Sequence, residues 1–176
     1  KIAARYVAKT LKLDSLAVLA PADKFGHALV DAFVNEADLL GKKIVAVEWY
    51  SGTPIDLKRQ FKSLRKVAFS LVKNEESFDE YLGMEFDSLD FLFELSDEDL
   101  FDIPEDEDQE VLTAFDSAEI DLATIQALYL PVHPEHLAYV GTQFPMYHFN
   151  TQVVGNESWQ DLDILNRRNI GPHMNG

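Results

Sequence analysis

The sequence predicts an α/β fold: a single three-layer lobe with a mostly parallel four-stranded sheet and an acidic insertion. Short apolar runs alternate along the chain with stretches of helical periodicity, which is typical of βαβ units around a parallel sheet. The 176 residues, 47% of them hydrophobic, suffice for one domain with a buried core. No apolar run approaches the roughly 18 residues of a membrane-spanning helix, so no membrane insertion is expected.

Strands and helices alternate in the first part of the chain. Each strand is a short apolar, β-branched or aromatic run, and Pro21 closes the first of them. Each helix carries small or apolar residues three or four positions apart, with Gly41 as a stop after the second helix and Asp56 as an N-cap for the third. The predicted elements are a helix over residues 1–11, a strand over 16–20, a helix over 26–40, a strand over 44–50 and a helix beginning at Asp56.

The same alternation resumes after residue 121. Proline is favoured in the first turn of a helix, so His133-Pro134 predicts a helix start, and Pro145 is expected to end that helix. Gly155 stops the strand that follows. The predicted elements are a strand over residues 125–130, a helix opening at His133, a strand over 151–154 and a short helix over 159–165.

Residues 74–121 interrupt this pattern with a strongly acidic segment. Between Glu75 and Asp121 there are twenty Asp or Glu and no Lys or Arg, mixed with aromatic and aliphatic residues. A purely acidic tail lacks such apolar residues. We interpret the segment as an insertion that packs a few aromatics on the lobe and leaves its charges in water. The overall net charge of −16 argues against nucleic acid and anionic lipid as partners.

The sequence contains no catalytic or cofactor-binding pattern. It has no cysteine, which excludes disulfides, thiolate metal sites and cysteine nucleophiles. It lacks the glycine-rich nucleotide fingerprints, the zinc-protease helix motif and the nucleophile elbow. The acidic runs at 96–99 and 105–108 lack the glycine and terminal glutamate spacing of an EF-hand loop. We therefore expect a binding protein rather than an enzyme, with no metal and no cofactor.

Strand order predicts where a binding site lies. Right-handed crossovers allow the order strand two, one, three, four across the sheet. Ligands of parallel α/β sheets bind outside the carboxyl ends of the strands, where the order of the strands reverses. That point falls between the first and third strands, and the loops facing it are residues 21–26, 131–135 and 155–159.

Each of these loops holds a candidate binding residue with an ordinary structural alternative. Phe25 could stack on a ligand, or it could pack the start of its helix. His133 could form a hydrogen bond to a ligand or a partial metal site with His136, although no third metal ligand is evident. Glu157 could pair with a cationic group of a ligand, or it could be a solvated loop residue. Trp159 could line a pocket, although a tryptophan in this place is more often part of the core.

Three motifs in this order resemble the second lobe of type I periplasmic binding proteins, the family of branched-chain amino-acid receptors. The motifs are LAVLAPADKFG over residues 16–26, ALYLPVHPE over 127–135 and QVVGNESW over 152–159. They resemble, respectively, the family's strand and Asp-x-Tyr/Phe-Gly turn, its strand ending at the crevice, and its final strand and loop before a tryptophan. The resemblance covers residues 1–66 and 125–159, roughly 100 of the 176 residues.

The resemblance implies a solute-binding lobe of a bacterial receptor of the ABC-transporter type, in the periplasm or cell envelope. It implies that aromatic residues at Phe25 and near His133 line the site, and that an acid near Glu157 holds the ammonium of an amino acid or similar small molecule. It also implies that residues 1–176 are one lobe, working with a first lobe of the same protein that this sequence lacks.

A second group of proteins related to these receptors has the same fold and a different role, and this sequence resembles that group as well. The third strand and the Gly-Asn-Glu-Ser-Trp ending are similar to penicillin-binding-protein activators, which are lipoproteins that stimulate peptidoglycan synthesis by contact. Phe25 and His133 stand where tyrosine is common in the amino-acid receptors, and those receptors lack the acidic insertion. This similarity implies a cell-envelope module whose partner is an envelope protein.

Overall fold

The computed structural model describes residues 1–72 and 122–160, which form a sheet of four strands with helices on both faces. The strands are β1 (Ser15–Pro21), β2 (Lys43–Tyr50), β3 (Ala127–Leu130) and β4 (Gln152–Gly155). The helices are α1 (Ile2–Arg5), which continues as a π-helix over Tyr6–Leu11, then α2 (Lys24–Leu39), α3 (Lys58–Val72) and α4 (Leu137–Gln143). Single 3₁₀ segments cover Pro134–His136, Phe144–Tyr147 and Glu157–Gln160.

The strand order is β2-β1-β3-β4, and each described strand runs parallel to its neighbours. This confirms the predicted order and the prediction of an α/β fold on a four-stranded parallel sheet. The carboxyl ends of all four strands therefore lie along one edge of the sheet, which we call the carboxyl edge. The point where strand order reverses lies on that edge between β1 and β3.

The central strand β1 separates two apolar cores. Leu16, Val18 and Ala20 pack into the core beneath α1 and α2, whereas Ala17 and Leu19 pack into the core beneath α3 and α4. All five side chains are completely buried. The sequence of a strand that is buried on both faces is a continuous apolar run, and residues 16–20 have this pattern. Helices on both faces of the sheet are compatible with the predicted three-layer lobe.

Polar contacts such as the following two join parts of the described chain that are distant in sequence. Arg5 Nε donates to Glu36 Oε1 over 2.6 Å and ties α1 to α2. The side-chain oxygen of Gln126 accepts the backbone N–H groups of Asp14 and Ser15, 112 and 111 residues away, over 2.7 and 3.2 Å. The second contact fixes the start of β3 beside the start of β1.

Two predicted element boundaries are wrong for identifiable reasons. Helix α2 begins at Lys24, ahead of the predicted residue 26, because the Asp23 carboxylate caps it by accepting the N–H of Gly26. Pro145 does not end the fourth helix of the described chain. Helix α4 ends at Gln143, and Pro145 lies in the first turn of the 3₁₀ segment that follows, where a proline leaves no helical hydrogen bond unmade.

Two glycines allow close packing at the carboxyl edge. A Cβ atom built on Gly26 would lie 1.9 Å from the carbonyl oxygen of Pro21, so only glycine lets α2 start this close to the end of β1. A Cβ atom on Gly155 would lie 2.1 Å from the indole of Trp159, which packs on the bare backbone there. Both glycines belong to the sequence motifs described above, and both have a steric reason to be glycine.

Some predicted features lie outside the described residues. They include the acidic insertion over residues 74–121 and most of the short helix predicted over 159–165. Residues 157–160, at the start of that region, form a 3₁₀ turn. Within residues 1–72 and 122–160, no helix is long and apolar enough to cross a membrane.

Candidate functional site

The loops after β1 and β3 meet at the carboxyl edge through two rings. The Phe25 ring stacks on the His133 imidazole, with 4.4 Å between ring centroids and 25° between ring planes. Phe25 sits in the first turn of α2, and His133 immediately precedes the 3₁₀ segment that leads into α4. The structure thus brings together two of the three residues that the sequence predicted for this site, at the point where strand order reverses.

Asp23 holds this ring pair in place, and the sequence analysis did not identify it. Its Oδ1 accepts the Gly26 N–H over 2.8 Å, and its Oδ2 lies 2.7 Å from Nε2 of His133. The Gly26 N–H and the His133 side chain hold the pKa of Asp23 below its ordinary value, so the group is a carboxylate at neutral pH. The available signal was the N-cap pattern, an aspartate three residues ahead of the glycine that begins the predicted helix.

A second histidine links the ring pair to the end of β2. The edge of the His136 ring meets His133 with 5.2 Å between centroids, and a 3.0 Å hydrogen bond joins His136 Nδ1 to the Tyr50 hydroxyl. Burial, together with the neighbouring His133, lowers the pKa of His136 below its ordinary value. Burial raises the pKa of Tyr50, which remains a protonated hydroxyl. Side-chain contacts therefore join the ends of β2, β1 and β3 at this edge.

Glu157 lies at the same edge, in the turn that follows β4. It begins the 3₁₀ turn after β4 and is exposed. It forms no hydrogen bond or ion pair with any residue in the described part of the chain. Its charge acts instead on Tyr129 of β3, whose pKa rises to about 12 through burial and through this carboxylate. Its predicted binding role stays a prediction.

Trp159 is better explained as part of the apolar core than as the lining of a binding pocket. Its indole packs on Gly155 and against the apolar core beneath α3 and α4. The metal alternative for His133 and His136 gains no support, since the described residues contain no group of three or more His, Asp or Glu arranged to hold a metal ion. Trp159 is therefore better explained by packing, and His133 and His136 are better explained by their contacts with Phe25, Asp23 and Tyr50 than by a metal.

Two depressions in the surface of the described residues lie away from the carboxyl edge. One, of about 370 Å³, opens beside Ser15 and Gln126, and another, of about 550 Å³, opens between Asp38 and Lys43. Both lie where strands begin, at the opposite edge of the sheet from the ring pair. These two depressions and the cluster of aromatic and polar side chains at the carboxyl edge therefore lie in different places. The carboxyl edge is the stronger indication, because ligands of parallel α/β sheets bind outside the carboxyl ends of the strands.

The chain matches no family model and no curated protein with which it was compared.

Proposed function

We propose that this chain is a solute-binding lobe of the type I periplasmic-binding-protein kind, which holds an amino acid or similar small molecule at the carboxyl edge. The observation that carries the proposal is the stacked pair of Phe25 and His133 at the reversal point of a parallel sheet. An aromatic face beside polar groups is the usual composition of a small-molecule site.

In this proposal each residue of the site has a separate task. The exposed part of Phe25 offers an apolar surface for the ligand side chain, and the exposed part of His133 offers a hydrogen-bonding group. Glu157, exposed and without an ion-pair partner in the described chain, supplies a carboxylate for a ligand ammonium. A single lobe covers only one side of a ligand, so the affinity of this chain alone is expected to be weak until a second lobe closes over it. The periplasm or cell envelope is the proposed location.

Titration of the isotope-labelled chain with individual amino acids tests the proposal by NMR. The His133 ring signal should shift on addition of one or a few amino acids. The signal of His148, at the opposite edge of the sheet where the strands begin, should stay in place. Glu157→Gln should weaken the response by about tenfold, because it removes a charged hydrogen-bond partner. Asp38→Asn, with the same charge change at the far edge, should leave it unchanged. Equal shifts at both histidines, or none at either, would contradict the proposal.

A cell-envelope protein-interaction module is the alternative proposal. Two observations favour it: the depressions beside Ser15 and Asp38 lie away from the ring pair, and twenty acidic residues between positions 75 and 121 offer charge for a basic protein surface. Capture of envelope proteins by the full chain and by a chain lacking residues 75–121 would compare the two. Equal recovery of the same proteins by both chains would remove the role of the acidic segment.

A further inference from the structure

The His133 ring is held from several sides. Phe25 stacks on one face at 4.4 Å, the His136 ring meets it edge-on at 5.2 Å, and Asp23 Oδ2 lies 2.7 Å from Nε2. Its other nitrogen, Nδ1, has no hydrogen-bond partner among residues 1–72 and 122–160. Turning the ring over would break the bond to Asp23, so the two nitrogens have different and fixed environments.

Hydrogen-bond chemistry decides which nitrogen carries the proton. A carboxylate has only acceptor atoms, so the 2.7 Å contact requires a proton on Nε2 of His133. A neutral imidazole has one N–H, and its second nitrogen is then an acceptor. Asp23 cannot turn away freely, because its other oxygen caps α2 through Gly26.

We propose that Asp23 is a positioning residue that fixes His133 in the Nε2-protonated tautomer, so that Nδ1 serves the binding site as a hydrogen-bond acceptor. The ligand group at His133 is then a donor, such as a primary ammonium, and not a carboxylate. The tautomer stands on the geometry alone, whereas the choice of ligand group rests on the proposed binding function.

Asparagine at position 23 separates positioning from helix capping. Asp23→Asn retains an oxygen that accepts the Gly26 N–H, and asparagine is as good an N-cap as aspartate. Its amide nitrogen then faces His133 and can only donate, so Nε2 must become the acceptor and Nδ1 must take the proton. Asp23→Ser keeps a capping oxygen and leaves no group at the imidazole. Glu135→Gln is the charge-matched control, since it neutralises an exposed carboxylate two residues from His133.

The tautomer is measured directly from the imidazole ¹⁵N shifts of the full chain, under conditions where those shifts themselves report a neutral ring. The wild type and Glu135→Gln should show the proton of His133 on Nε2. Asp23→Asn should move it to Nδ1, and Asp23→Ser should give a mixture of tautomers. Circular dichroism of each variant checks that helix content is retained. A wild-type proton on Nδ1, or the same tautomer in the wild type and Asp23→Asn, would overturn the role of Asp23.

Two small probes test the ligand class. Isobutylammonium and isovalerate share a branched apolar group and differ in carrying an ammonium or a carboxylate. Isobutylammonium should shift the His133 signal of the wild type, and isovalerate should not. Asp23→Asn should weaken the isobutylammonium response by about tenfold, whereas Glu135→Gln should change it much less.

The outcomes distinguish the inference from the proposed function. A stronger response to isovalerate than to isobutylammonium in the wild type would overturn the assignment of a donor ligand. An inverted tautomer in Asp23→Asn with no response to either probe would uphold the positioning role of Asp23 and count against a ligand site at His133.

Discussion

Replacing Gly26 by alanine tests the packing that builds the carboxyl edge. The new Cβ would lie 1.9 Å from the Pro21 carbonyl oxygen and 2.9 Å from its carbon, where ordinary contacts begin at 3.4 Å. Both are backbone atoms, so the start of α2 must move by roughly 1 Å, at an overpacking cost of about 1–3 kcal/mol. The move also strains the Asp23 cap, which is worth about 1 kcal/mol. Alanine regains up to about 1 kcal/mol through helix propensity, so a net loss of about 2 kcal/mol is expected.

Urea unfolding followed by tryptophan fluorescence measures this loss. Ala28→Gly, two positions further along α2, is the reverse substitution at an exposed site. It should cost about 1 kcal/mol through propensity alone. Propensity and steric overlap therefore predict opposite signs for Gly26→Ala. A Gly26→Ala chain as stable as the wild type, or more stable, would refute the steric reasoning.

Three further predictions concern the core and the pH dependence of stability. Phe33→Ala should lower the free energy of unfolding by about 3–5 kcal/mol, because it removes a buried ring stacked at 4.2 Å on Tyr129; a loss below about 1 kcal/mol in urea unfolding would contradict this. Gly155→Ala should displace the Trp159 indole and change the emission of the folded chain, so an unchanged spectrum would argue against the packing. Burial and the adjacent His133 lower the pKa of His136, so the folded state binds fewer protons there than the unfolded state. The stability contribution of this residue is complete above about pH 6.5 and is lost as pH falls towards the folded-state pKa. His136→Gln should flatten the decline in stability between about pH 7 and 5, and an identical slope would refute the assignment.

The sheet could be predicted from the sequence because its strands leave strong local signals. Residues 16–20 are too short for a helix and too apolar for a surface strand, which places them at the centre of the sheet. Handedness of the crossovers then restricts the strand order. The helix boundaries were less accurate, since they depend on single side chains. Asp23 capped α2 ahead of the predicted start, and Pro145 opened a new turn instead of closing the previous helix.

The binding site could be predicted only as far as strand topology reaches. The contact of Phe25 with His133 follows from adjacent parallel strands, whose carboxyl ends share one edge. The hydrogen bond between Asp23 and His133 depends on side-chain rotamers and on how far each loop extends beyond the end of its strand. Neither property is encoded by sequence periodicity. Tyr50 was missed because the predicted site lay between β1 and β3, yet the side chain at the end of β2 reaches His136.

The pairing of β1 with β3 has a consequence for how the intervening chain can change. Ser15 and Gln126 meet across 111 residues, so the folding chain must close a very long loop. The entropy of closing a loop grows only with the logarithm of its length. Removing residues 75–121 would shorten the loop by less than half and would alter the closure free energy by about 0.5 kcal/mol. The number of residues in that stretch can therefore change during evolution at little cost in folding free energy. Selection can then act on the chemical character of those residues rather than on their number.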